Sequence, residues 1–148
     1  MIQMHMDVTV GETEYRVGRM KAHVGAWIIS LLRGKTQASA VRRAAEPVGD
    51  VEVADERKPS FEEGLMATTV YLIGQFSFDE MRQVQDLCLE QCARYEEIGG
   101  KAIPMPILAG PGRWAISELE YDGPTVLSLT RECLAFNIAP FFTVAGSN

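Results

Sequence analysis

Ser117 to Phe142 reads SELEYDGPTVLSLTRECLAFNIAPFF, and the rest of the chain is organised around this stretch. Asp122 or Gly123 can cap a helix, and Pro124 suits a first helical turn, where its missing N–H costs nothing. Val126, Leu129, Cys133 and Phe136 follow at spacings of 3, 4 and 3, one face of a helix. Leu127 and Leu134 widen that face. The helix is expected to stop near Asn137, because Pro140 cannot continue it. Phe141 and Phe142 then fall beyond the helix, close to the end of the chain. A terminus frays unless something holds it, so two adjacent rings there need a pocket in this protein or in a partner. The expectation divides them: Phe141 packs inward, and Phe142 stays at least partly free for contact.

Working outward, Gln3 to Val17 reads as a β-hairpin turning at Gly11-Glu12-Thr13, with Val8, Val10, Tyr15 and Val17 on one side. Met20, Val24, Trp27, Ile28, Leu31 and Leu32 keep helical spacing, with Gly34 just past the end. Gly34-Lys35-Thr36 resembles the tail of a phosphate loop, but Ile29 stands where that loop needs its first glycine and no strand precedes it. Gln37 to Glu46 fits a short Ala-rich helix, and Val48 to Pro59 an exposed acidic connector, expected to be the first site of limited proteolysis. Ser60-Phe61-Glu62-Glu63 and Ser77-Phe78-Asp79-Glu80 are capping boxes. The second helix is predicted to place Phe61, Leu65, Met66, Val70 and Ile73 inward. The third places Met81, Val84, Cys88, Cys92 and Tyr95 on one face and ends at Gly99-Gly100. Three prolines and two glycines make Lys101 to Ala115 a loop with at most short extended pieces, anchored by Trp114 and Ile116.

The fold class that follows is mainly α with a small N-terminal β-hairpin (α+β), a compact bundle of about four to five helices. One domain is expected. The hairpin and first helix occupy residues 1–35, a mobile acidic connector 36–59, and a helical core 60–148.

Apolar residues are 47% of the chain and charged residues 23%, ordinary for a globular protein. No run approaches the ~20 apolar residues of a membrane span, and the start lacks the pattern of a signal peptide, so a cytosolic protein is expected. Cys88, Cys92 and Cys133 read as buried free thiols, and neither His5 nor His23 has ligand spacing, so no metal is expected. Net charge is −6. Seven basic residues (Arg16, Arg19, Lys21, Arg33, Lys35, Arg42, Arg43) and no acidic one lie between Tyr15 and Ala45. A basic face meeting acidic helices, within one subunit or between copies, predicts self-association that weakens with salt. Nucleic-acid binding would call for a basic domain with stacking aromatics. None of the serines sits in a nucleophile elbow, and the adjacent pairs Asp79-Glu80 and Glu96-Glu97 point apart on a helix, so no catalytic residue and no cofactor is expected.

Several stretches together resemble a known family. They are Tyr15-Arg16-Val17-Gly18-Arg19-Met20, Leu87-Cys88-Leu89, Ile116-Ser117-Glu118-Leu119-Glu120-Tyr121-Asp122, and the closing Leu134-Ala135-Phe136-Asn137-Ile138-Ala139-Pro140-Phe141-Phe142. The order of elements is similar to that of the tail assembly chaperones of long-tailed bacteriophages, most specifically at Phe-Asn…Pro-Phe-Phe. The resemblance implies a small, largely helical, non-enzymatic protein. Such a protein binds the tape measure protein, helps recruit tail tube subunits, and works in the host cytoplasm without entering the finished virion. Its expected partner-binding residues are Phe142, Phe141, Pro140, Ile138 and Trp114. The alternatives are a structural tail-completion or connector protein and, more distantly, a small enzyme or regulator.

Overall fold

The computed structural model describes residues 2–45 and 61–146. The connector expected at Val48 to Pro59 and the cap at Ser60 lie outside the described residues, as do the side chains of Phe61, Leu65, Met66 and Phe142.

Strands β1 (His5–Val10) and β2 (Thr13–Gly18) form the expected hairpin, with Val8 opposite Tyr15 and Met6 opposite Val17. The sheet does not stop there. Strand β2 pairs antiparallel with β3 (Cys92–Ile98), and β3 with β4 (Lys101–Pro106), giving the order β1-β2-β3-β4. Two short strands, β5 (Leu108–Gly110) and β6 (Arg113–Trp114), make a separate ladder. The protein is therefore an α+β fold with a substantial antiparallel sheet, and the expected helical bundle is wrong.

The error has a local cause. Cys92 and Tyr95 fall at helical spacing from Cys88, yet helix α3 (Phe78–Leu89) ends before them. The chain turns at Glu90-Gln91, where the Gln91 carbonyl accepts the Gly18 N–H at 2.8 Å and starts the β2–β3 ladder. Gly99 and Gly100 both have positive φ, 61° and 81°. Two such residues make the tight turn whose twist suits a β-hairpin, and only glycine adopts that backbone freely. Gly-Gly here joins two strands rather than ending a helix.

The helices cover one face of the sheet. Helix α1 (Ala22–Ala45) runs straight through Gly34. A single interior glycine costs only about 1 kcal/mol, too little to stop a helix that is anchored elsewhere. One anchor is Lys35, whose Nζ lies 2.7 Å from Glu80 of α3. This contact between the basic segment and an acidic helix forms within one chain. Helix α2 (Phe61–Ile73) packs Ile73 against the core as expected, but it buries Thr69 and Leu72 and leaves Val70 exposed, against expectation. Trp27 and Leu127 are exposed as well, against expectation. Ser77 caps α3 as the sequence predicts: its Oγ accepts the Glu80 N–H at 3.2 Å, and Glu80 Oε1 accepts the Ser77 N–H at 2.9 Å.

The last helix, α4 (Gly123–Gly146), follows a short 3-10 turn at Ser117–Tyr121. Asp122 caps it, accepting from the Thr125 N–H and Oγ1 at 3.2 and 2.8 Å. Val126, Leu129, Cys133 and Phe136 are buried together, as their spacing requires. Helix α4 lies against β1 and β2 and is packed by α1, α2 and α3, so it is the centre of the core. Its main departure from expectation is length: it continues through Pro140 to Gly146.

Candidate functional site at the end of the last helix

A proline inside a helix leaves the carbonyl four residues back without its N–H partner and crowds it. For Pro140 that carbonyl belongs to Phe136. The structure supplies a substitute donor from 117 residues away: Nη1 of Arg19 donates to the Phe136 carbonyl. The same guanidinium stacks on the Phe136 ring, 3.7 Å from its centroid, and its Nε donates to the Gln3 carbonyl at 3.1 Å. Burial holds the Arg19 pKa below its ordinary value, because the charged form loses solvation there.

Asn137, 6% exposed, completes the clamp. Its Oδ1 accepts the Met20 N–H at 2.8 Å. Its Nδ2 donates to the Gly18 carbonyl at 3.1 Å and to the Cys133 carbonyl at 2.9 Å. Gly18 and Met20 flank the junction between β2 and α1, so two groups that neither element satisfies are met by one side chain of α4. The three cysteines lie just below. The thiols of Cys92 and Cys133 both donate to the Cys88 carbonyl, at 3.3 and 3.5 Å. Burial pushes the Cys88 thiol well up. Hydrogen bonding from its neighbours, Cys88 first, holds the Cys133 thiol well below its ordinary value, against the opposing effect of burial. All three are free and buried. Among the described residues, no group of three His, Cys, Asp or Glu side chains is placed to hold a metal ion.

The two stretches that lie furthest apart in the sequence reading, Tyr15 to Met20 and Leu134 to Phe142, thus meet in one clamp. Of the expected partner-binding residues, Ile138 is buried in the core and is not available as a contact. Pro140 is half-buried within the helix. Phe141 lies on the helix, not beyond it. It neither packs fully inward nor stands free: it is 41% exposed, and a Cβ placed on Gly25 of α1 would lie 3.5 Å from its ring. Trp114 is half-buried in β6, which packs beside the 3-10 turn at the opposite end of α4. Phe141 stands 18 residues along the helix from Gly123, about 27 Å at 1.5 Å per residue, so Trp114 does not join it.

Sequence reading missed Arg19, Gly18 and Asn137. Two signals pointed at the clamp. An asparagine four residues after a buried cysteine sits on the apolar face and demands buried partners. A proline four residues after Phe136 likewise demands a donor from elsewhere. Beside the clamp, a hollow of about 200 Å³ opens between Met4, Arg16, Arg19, Glu90 and Pro104. Its lining mixes both charges.

No family model matches this chain, and no curated protein or solved structure matches it either.

Proposed function

We propose that the protein is a tail assembly chaperone of a long-tailed bacteriophage, acting in the host cytoplasm on the tape measure protein and tail tube subunits. The observation that carries this reading is the convergence of the two resembling stretches into one clamp, with Phe141 left partly exposed at its rim. A long apolar polypeptide awaiting encasement needs reversible apolar contacts, and amphipathic helix docking is the natural mode. The exposed apolar side chains near this end, Trp27 of α1 and Phe141 of α4, are suited to such contacts. Arg19 and Asn137 are positioning residues in this scheme. They hold the helix through Pro140 so that Phe141 is presented on a rigid element.

The test is co-expression with the products of the neighbouring genes, followed by affinity capture of the tape measure protein. Phe141→Ala is expected to reduce capture about tenfold while costing folding little, as a partly exposed interface anchor should. Phe136→Ala should instead destabilise by about 3–5 kcal/mol, because that ring is core. Failure of the wild-type protein to capture the tape measure protein refutes the proposal. So does recovery of the protein in purified virions, which favours the structural tail component.

A further inference from the structure

The two edges of the four-stranded sheet are not alike. In an antiparallel strand, alternate residues direct both N–H and C=O to the same neighbour. The Ile107 N–H donates to the Cys92 carbonyl, so odd residues of β4 face β3 and even ones face outward. Pro104 and Pro106 fall on the outward positions and strip that edge of two donors, a common way of blocking further pairing. Strand β1 has no such block. The Arg19 N–H donates to the Met4 carbonyl, which extends the ladder in which Met6 and Val8 face β2. His5, Asp7 and Thr9 therefore present their N–H and C=O groups outward. Among the described residues, no strand pairs with them.

We infer that β1 pairs antiparallel with β1 of a second copy about a two-fold axis at Met6. The register is chosen by chemistry. With Met6 opposite Met6 of the copy, His5 lies opposite the copy's Asp7, and Asp7 opposite its His5. These two positions exchange four backbone hydrogen bonds. An imidazole N–H then meets a carboxylate on the outer face of the sheet. Asp7 Oδ1 accepts the Tyr95 hydroxyl of β3 at 2.6 Å, and Oδ2 remains to accept from the copy. On the helix side, Met4, 57% exposed in one chain, comes opposite the half-buried Val8 of the other. Shifting the axis to residue 7 sets Asp7 against Asp7, and shifting it to residue 8 sets Asp7 against Thr9. Of these three axes, only the one at Met6 sets each Asp7 carboxylate opposite an imidazole N–H. The Gln3 Nε2 donates to the His5 carbonyl at 2.9 Å in the single chain, standing where the copy's Asp7 N–H would arrive. Pairing merges two four-stranded sheets into one continuous sheet with both helical layers on the same side.

This pairing does not depend on the tape measure reading, and it is tested on the full chain alone. Sedimentation velocity over a concentration series should show a reversible monomer–dimer equilibrium. His5 is exposed, so substitution there spares the fold. His5→Asp should weaken the dimer about tenfold or more, while His5→Lys should leave it at least as tight. Non-hydrogen-bonded partners in an antiparallel pair lie ~4.5 Å apart at Cα, within disulfide range. Met6→Cys should therefore cross-link across the axis on mild oxidation, and Val8→Cys should not. The three native cysteines are buried and do not compete. A monomer at every concentration, an unchanged dimer in His5→Asp, or cross-linking of Val8→Cys in place of Met6→Cys overturns the inference.

Discussion

If Arg19 stands in for the N–H that Pro140 lacks, the two residues must be energetically coupled although they lie far apart in sequence. Arg19→Ala removes a charged hydrogen bond to the Phe136 carbonyl, a bond to the Gln3 carbonyl and the stack on the Phe136 ring. A hydrogen bond to a charged group contributes roughly 1.5–3 kcal/mol and a partly desolvated cation–π contact roughly 0.5–2. The expected cost, about 3 kcal/mol, is a large part of a typical ~5–15 kcal/mol stability. Pro140→Ala restores an N–H directed at the same carbonyl. An interior Pro→Ala change is worth about 3 kcal/mol in propensity, but Arg19 already satisfies the carbonyl, so a gain of about 1–2 is expected. In the Pro140→Ala background the Phe136 carbonyl no longer needs Arg19, and Arg19→Ala should cost only about 1.5–2 kcal/mol. Urea unfolding of the four proteins in the cycle measures the coupling directly. Additivity within ~0.5 kcal/mol would mean that Arg19 does not replace the missing donor, and the account of why α4 passes through Pro140 would fail.

Asn137→Ala leaves the Met20 N–H and the Gly18 carbonyl buried without partners and should cost about 2–4 kcal/mol; hydrogen exchange at the Met20 amide should accelerate in step. Gly18→Ala would set a Cβ 2.9 Å from the Gln91 carbonyl oxygen and should destabilise by about 1–3 kcal/mol. Gly25→Ala meets only the Phe141 ring at an ordinary 3.5 Å and should be neutral or stabilising by about 0.5–1 kcal/mol, so thermal melts of the pair should move in opposite directions. The hydrogen bond from Lys35 lowers the Glu80 pKa, so its contribution is complete above the ordinary value of 4.5 and is lost as pH falls below it. Glu80→Gln keeps the cap on Ser77 but loses the ion pair, so it should melt below the wild type near neutral pH and converge with it in acid. A gap that stays constant across that range would contradict the assignment.

How much of this was legible in the sequence depends on how local the deciding interaction is. The hairpin at Gly11, the Ser77–Glu80 box, the Asp122 cap and the buried face Val126, Leu129, Cys133 and Phe136 all depend on residues within a few positions of one another, and periodicity and capping chemistry specified them. Cys92 to Ile98 was ambiguous by the same logic. Its spacing from Cys88 fits a helix, and its Gly-Gly end fits either a helix stop or a hairpin turn. The open edge of β2, supplied by Arg16 and Gly18, made it a strand. Helix α4 likewise should have ended before Pro140 on local grounds. It continues because a guanidinium from the β2–α1 junction takes the place of a backbone donor. The clamp could not be read in advance for the same reason: the hydrogen bonds that close it join positions more than a hundred residues apart, and only the folded chain brings those groups within bonding distance.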